Sequence, residues 1–107
     1  MNSGALWMAS KVANTLGLAK RAGFVLVGSK MMDGIRTRKL SAVILATDAS
    51  ERTKKVVNDK CRYYEIPCYE HLSMPELSSA LGFSHIAAVG ITDEGFAKLA
   101  AASIEMR

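Results

Sequence analysis

Five consecutive apolar residues, Ala42-Val43-Ile44-Leu45-Ala46, lie between Ser41 and Thr47-Asp48 and limit the fold more than any other segment. A strand with one wet face alternates polar and apolar residues, so an unbroken run of this length reads as a strand covered on both faces. Such a strand needs helices on either side and belongs at the centre of a sheet. Ile86-Ala87-Ala88-Val89-Gly90-Ile91 has the same character and is the last buried strand. Phe24-Val25-Leu26-Val27 and Pro67-Cys68-Tyr69-Glu70-His71 read as shorter strands or extended segments.

Helical patterns fill the intervals. From about Ser3 to Ala22 the residues Ala9, Val12, Ala13, Leu16 and Ala19 recur at helical spacing, with Lys11, Asn14, Thr15 and Lys20 on the other face and Gly23 as the stop. Gly28-Ser29 turns the chain, and Ser29 is placed to cap a helix that runs to about Arg38 and buries some of Met31, Met32 and Ile35. Asp48 with Glu51 fits a capping box, Ser50 being the competing cap, for a helix to about Tyr63 with Val56, Val57 and Cys61 inward. Ser73-Met74-Pro75-Glu76 starts a short helix that Gly82 ends, and Thr92 or Asp93 caps a last one with Phe96, Leu99, Ala100 and Ile104 as its apolar stripe. The alternation predicts an α/β fold, a three-layer α-β-α sandwich around a small mixed sheet of about four strands. Half of the 107 residues are hydrophobic, enough for one core and one domain.

Several classes of chemistry lack their signatures. There is no Gly-x-Ser-x-Gly elbow, Walker loop or Gly-x-Gly-x-x-Gly turn, and neither His71 nor His85 has a visible group to orient it, so no catalytic residue is assigned. Cys61 and Cys68 stand apart from both histidines, so they read as structural thiols and no metal or cofactor is expected. No apolar run approaches the roughly 20 residues that cross a bilayer, and no signal-peptide layout opens the chain, which predicts a cytoplasmic protein with no membrane partner.

What remains is charge. Residues 1–62 carry 12 Lys or Arg against 4 Asp or Glu, whereas residues 63–107 carry 2 against 6. A one-sided excess of this kind is the electrostatic footprint of a phosphate-binding protein. It concentrates between Lys11 and Lys39, where Lys11, Lys20, Arg21, Lys30, Arg36, Arg38 and Lys39 face Asp33 alone. On the helix after Gly28 the core claims the apolar residues, leaving a polar, basic ridge. The amino end of that helix adds unpaired N–H groups suited to phosphates or to base-edge acceptors, and Gly28, without a Cβ, lets a ligand approach the backbone.

A resemblance sharpens this picture. The segments Leu16-Gly17-Leu18-Ala19-Lys20-Arg21-Ala22-Gly23, Val27-Gly28-Ser29-Lys30, Ile35-Arg36-Thr37-Arg38-Lys39, Val43-Ile44-Leu45-Ala46-Thr47-Asp48-Ala49-Ser50, Asp59-Lys60-Cys61, Ile66-Pro67, Glu76-Leu77-Ser78-Ser79-Ala80-Leu81-Gly82 and Ala88-Val89-Gly90-Ile91-Thr92-Asp93-Glu94-Gly95-Phe96-Ala97 span nearly the whole chain. In this order they resemble the kink-turn-binding ribosomal-protein superfamily of L7Ae and L30e type, and most of all its bacterial YlxQ-type branch. The resemblance implies a non-catalytic scaffold that grips the widened major groove of structured RNA, a kink-turn or related internal loop such as ribosomal RNA contains, with the turn and start of the second helix; the chain is expected to act as a monomer. It places Gly28, Ser29, Lys30 and Met31 at the RNA, together with Leu72, Ser73 and Met74 from the loop after the third strand, where apolar side chains pack against extruded bases; the charge pattern adds Asp33, Arg36, Arg38 and Lys39 of the polar ridge to the candidate RNA surface.

The family motif at the turn is Gly, a variable residue, Asn or Lys, then often Glu or Gln. Met31 stands at that fourth place here, and a register shifted by one puts Lys30 there. In either register the guanine-reading acceptor is missing, since lysine donates and cannot accept. The alternative is a protein-interaction module of the same fold, in which the acidic second half binds a partner and RNA binding is weak and unspecific.

Overall fold

The two unbroken apolar runs become neighbours in the middle of one sheet. The structure, a computed structural model, describes the backbone of residues 3–105 and the side chains of residues 11–104. The elements in chain order are α1 (Ser3–Arg21), β1 (Val25–Leu26), α2 (Gly28–Arg36), β2 (Ala42–Leu45), α3 (Glu51–Tyr63), β3 (Cys68–Glu70), α4 (Met74–Leu81), β4 (Ala88–Ile91) and α5 (Glu94–Glu105). β2 and β4 pair antiparallel with Ile44 opposite Val89, and every residue of both strands is buried. β1 flanks β4 antiparallel and β3 flanks β2 parallel, giving the mixed order β1-β4-β2-β3.

Helices α2 and α3 pack together on one face, and α1 packs against α4 and α5 on the other, which completes the expected three-layer sandwich. Leu16, Ile35, Ile44, Leu45, Leu77, Leu81 and Ile91 are fully enclosed between the layers. Each such side chain contributes about 1.5–3 kcal/mol by leaving water.

Local signals fare unevenly. Ser73 and Glu76 form the expected capping box, Ser73 Oγ accepting from the Glu76 N–H at 3.2 Å and Glu76 Oε1 from the Ser73 N–H at 2.8 Å. Asp93 caps α5 by accepting from the Phe96 N–H at 3.0 Å. Asp48 does not cap α3: Ser50 does, accepting from the Thr53 N–H at 3.1 Å, while Asp48 Oδ1 reaches 26 residues along the chain to take the Met74 N–H at 2.7 Å. Thr15, expected on the polar face of α1, is buried, because its hydroxyl can donate to the Lys11 carbonyl at 3.0 Å and so loses nothing in the core. Val56 and Leu99, expected inward, are 41% and 57% exposed; Ala97 and Ser103 take the inward positions on α5. Ala9 lies outside the described side chains. Cys61 and Cys68 lie side by side with their thiols hydrogen-bonded, a contact that pushes the Cys68 thiol above its ordinary range.

Candidate nucleic-acid interface

Because β1 and β2 point the same way, β3 runs parallel to β2 and β4 runs against them, three strand ends and one strand start emerge on one edge of the sheet. Residues 27–30, 46–51, 71–75 and 85–88 meet there. Backbone bonds stitch them together: the Ala46 N–H donates to the Ala87 carbonyl at 2.8 Å and the Thr47 N–H to the Leu72 carbonyl at 2.9 Å. The Asp48–Met74 bond adds a third link. The amino ends of α2, α3 and α4 therefore open at this single edge, each with the partial positive charge of a helix start.

Those three ends differ in what they leave free. α3 and α4 carry side-chain caps, Ser50 and Ser73. α2 begins after Val27 with no side-chain cap, so Ser29 does not perform the role its position suggested. Its first helical bond is the long one from the Met31 N–H to the Val27 carbonyl, 3.4 Å. The amides of Ser29 and Lys30 precede it and have no acceptor inside the helix. Gly28 has φ 61 with open space where a Cβ would stand, so glycine is needed there for the backbone turn itself. Lys30 is exposed and makes no described hydrogen bond or ion pair. The free amides and the Lys30 ammonium can only donate, and the exposed Ser29 hydroxyl can donate or accept.

Beside Gly28 lies a cleft of about 490 Å³ between α2, α3 and the start of β4, lined by Val27, Gly28, Met31, Met32, Arg52, Thr53, Val56, Val57, His85, Ile86, Ala87 and Ala88. Its walls are mostly apolar, with Arg52, Thr53 and His85 as polar members. Sequence reasoning missed Arg52, which lies beyond the basic stretch that drew attention, and read Val56 as a core residue. No local signal could have found them, because the cleft is lined from α2, α3 and the start of β4 together.

The remaining expected site residues divide. Leu72 is a core residue, 6% exposed, held with φ 68, so its side chain is unavailable to an extruded base. Ser73 is occupied as a cap and Met74 is half-buried at the start of α4. His71, next in the loop, has a buried Nε2 without a partner, and burial holds its imidazole below the ordinary histidine range, against a smaller upward pull from Glu76. Met31 is buried and anchors α2. Asp33 accepts from Arg36 Nη2 at 2.7 Å, on a pair more than half exposed. Arg36, Arg38 and Lys39 lie at the carboxyl end of α2, about 9 to 14 Å from Lys30 at a helical rise of about 1.5 Å per residue. They are on the opposite edge of the sheet.

Fold and edge together define a class. The chain belongs to the ribosomal protein L7Ae/L30e/S12e/Gadd45 family, whose model matches residues 10–101. Among curated proteins it is 45% identical over 89 residues to the RNA-binding protein YlxQ of Enterococcus faecium, covering 82% of this chain and 85% of that one. It is 40% identical over 83 residues to the protein of the same name from Bacillus subtilis strain 168, covering 77% and 83%. A solved structure of a protein of unknown function from Bacillus halodurans C superposes with TM-score 0.84 at 34% identity, over 90% of this chain and 98% of that one. The Giardia lamblia 15.5kD RNA binding protein shares the fold, with TM-score 0.72 at 17% identity over 91% and 84% of the two chains. Among the described residues no helix is long and apolar enough to cross a membrane.

Proposed function

We propose that this chain is a non-catalytic, ribosomal-protein-like RNA-binding protein that recognises structured RNA, a kink-turn or related internal loop such as ribosomal RNA contains, and acts as a cytoplasmic monomer. The observation that carries this reading is the uncapped amino end of α2, with the unpaired Lys30 beside it, opening next to an apolar cleft on the edge where three helix starts meet. The two YlxQ relatives, at 45% and 40% identity, bear the name of RNA-binding proteins and support it.

The Ser29 and Lys30 amides and the Lys30 ammonium donate to guanine O6 and N7 or to phosphate oxygens. Arg52 meets a phosphate at the mouth of the cleft, and Ile86, Met32 and Val56 receive an unpaired base. Ser73 and Met74 border the same edge through Asp48. With Met31 buried and Lys30 a donor in either register, discrimination rests on donors and on shape.

A gel-shift series tests this with a kink-turn RNA and a copy whose guanine-adenine pairs are replaced, each at several salt concentrations. The kink-turn is expected to bind more tightly than the copy throughout. Binding that ignores the replacement and falls steeply with salt leaves unspecific phosphate attraction, and no binding to either RNA at low salt refutes the proposal.

A further inference from the structure

We infer that the carboxyl ends of α2 and α3 form a second RNA-contacting patch, which takes single-stranded RNA flanking the folded motif; the inference rests on the function proposed above. Both helices start at the interface edge and return to the opposite one, each leading into the next strand. They pack side by side, and the strands they lead into are joined where the Val43 N–H donates to the Pro67 carbonyl at 2.9 Å. Arg38 and Lys39 are thereby brought to the same edge as Lys60, Arg62 and Tyr63, which are distant in sequence.

The chemistry of the patch is that of a stacking platform among cations. Arg38, Lys39, Lys60 and Arg62 are all exposed, and none of them makes an ion pair among the described residues. Tyr63 is 77% exposed, which is unusual for a ring with no structural duty. Tyr64 meets it edge-on, ring centroids 4.9 Å apart at 81°, and is itself packed against the core. The outer ring is thus held beside a core-packed neighbour while most of its surface stays open to a base. Stacking on such a ring tolerates any base but requires an unpaired one, and the neighbouring cations serve the phosphates that come with it.

α1, α2 and α3 all end in the same motif, with the residue two beyond the helix in the left-handed region; in α3 it is Glu65, at φ 59, an exposed carboxylate at the border of the patch. In α1 that residue is Gly23, at φ 83; in α2 it is Arg38, at φ 57, its N–H on the Ile35 carbonyl at 3.1 Å and the Lys39 N–H on the Gly34 carbonyl at 2.9 Å. Glycine is the residue that fits this position without strain. In α2 the chain holds an arginine there, projecting its charge from the end of the helix. The patch lies about 12 Å from Lys30, close enough for one RNA to reach both across the face of α2 and α3.

Fluorescence anisotropy titrations separate this patch from the first edge. They use the full chain with a minimal kink-turn hairpin, and with the same hairpin carrying an unstructured extension of about 10 nucleotides at its 5′ or its 3′ end. One of the two extensions is expected to tighten binding about tenfold, the worth of one well-stacked base, and to steepen the salt dependence. Tyr63→Ala and Arg38→Gly each remove most of that gain and leave the minimal hairpin's affinity unchanged. Arg38→Gly also relieves the left-handed strain, so its thermal midpoint holds or rises, which an arginine retained for structure would not allow. If the unaltered chain binds the minimal hairpin and neither extension adds affinity, this inference fails alone. If either variant weakens the minimal hairpin as much as the extended one, the patch is not separate and the inference is overturned. Failure of the unaltered chain to bind the minimal hairpin at low salt removes the proposed function and this inference with it.

Discussion

The two ends of α2 present opposite kinds of chemistry. Its amino end offers backbone: an uncapped turn, Gly28 at φ 61, two free amides and a single cation, Lys30, beside an apolar cleft. Its carboxyl end offers side chains, with Arg38 and Lys39 exposed on a strained, fully bonded turn at the sheet edge that also carries the exposed Tyr63. A fixed array of donors reads geometry, because its acceptors must arrive in one arrangement. Mobile cations read charge, which every phosphate carries. In sequence the two ends merge into one basic stretch from Lys11 to Lys39; in space a nine-residue helix holds them apart.

The largest expected effect tests what supports the amino-end edge from behind. Leu72→Ala removes a buried side chain of the loop bonded to Thr47 and is expected to cost about 2–5 kcal/mol of stability in urea titrations. RNA affinity measured on the folded variant should stay unchanged; a variant of wild-type stability with weakened RNA binding would return Leu72 to the base-contacting role its loop position suggested.

Next in size, Lys30→Ala is expected to weaken kink-turn binding by about tenfold to a hundredfold, the range for hydrogen bonds to a charged group. Lys39→Ala should do less to the same minimal RNA. Lys98→Ala should do nothing, since Lys98 lies on α5, paired with Glu94 at 3.1 Å, on the other face of the sheet. Equal losses from Lys30 and Lys39 would erase the distinction between the two ends of α2.

The smallest effect concerns pH. Burial favours the neutral form of His71 in the folded chain, so the unfolded chain binds the proton more readily. The stability this contributes is fully present above about pH 6.5, the unfolded value, and is lost as pH falls below it toward the depressed folded value. Urea midpoints of the wild type should therefore drop more between about pH 7.5 and about pH 5 than those of His71→Gln, and parallel drops would remove His71 from the account.

Much of the fold was legible because the signals involved are local. The runs at 42–46 and 86–91 announced strands covered on both faces, and Ser73 with Glu76 and Pro75 announced a helix start, since a cap needs partners only three residues away. Asp48 was misread for the same reason in reverse. Its best partner, the Met74 amide, is 26 residues distant and becomes available only when β2 and β3 lie side by side. The Gly28 turn was legible, while the failure of Ser29 to cap the helix was not, because α2 begins at Gly28 with Val27 at the cap position and leaves Ser29 inside the first turn. Arg52 and the cleft it borders were invisible in sequence, being assembled from three segments.

The sequence by itself therefore determined the layers, the elements and the surplus of positive charge, all of which follow from hydrophobic periodicity and short-range hydrogen bonding. The tertiary structure alone decided which edge gathers the helix starts, that Leu72 faces inward and that Lys30 and Arg38 lie at opposite edges of the sheet. Strand order and direction decide those matters, and they are settled by how whole layers bury one another, a sum over contacts that no short stretch of chain contains.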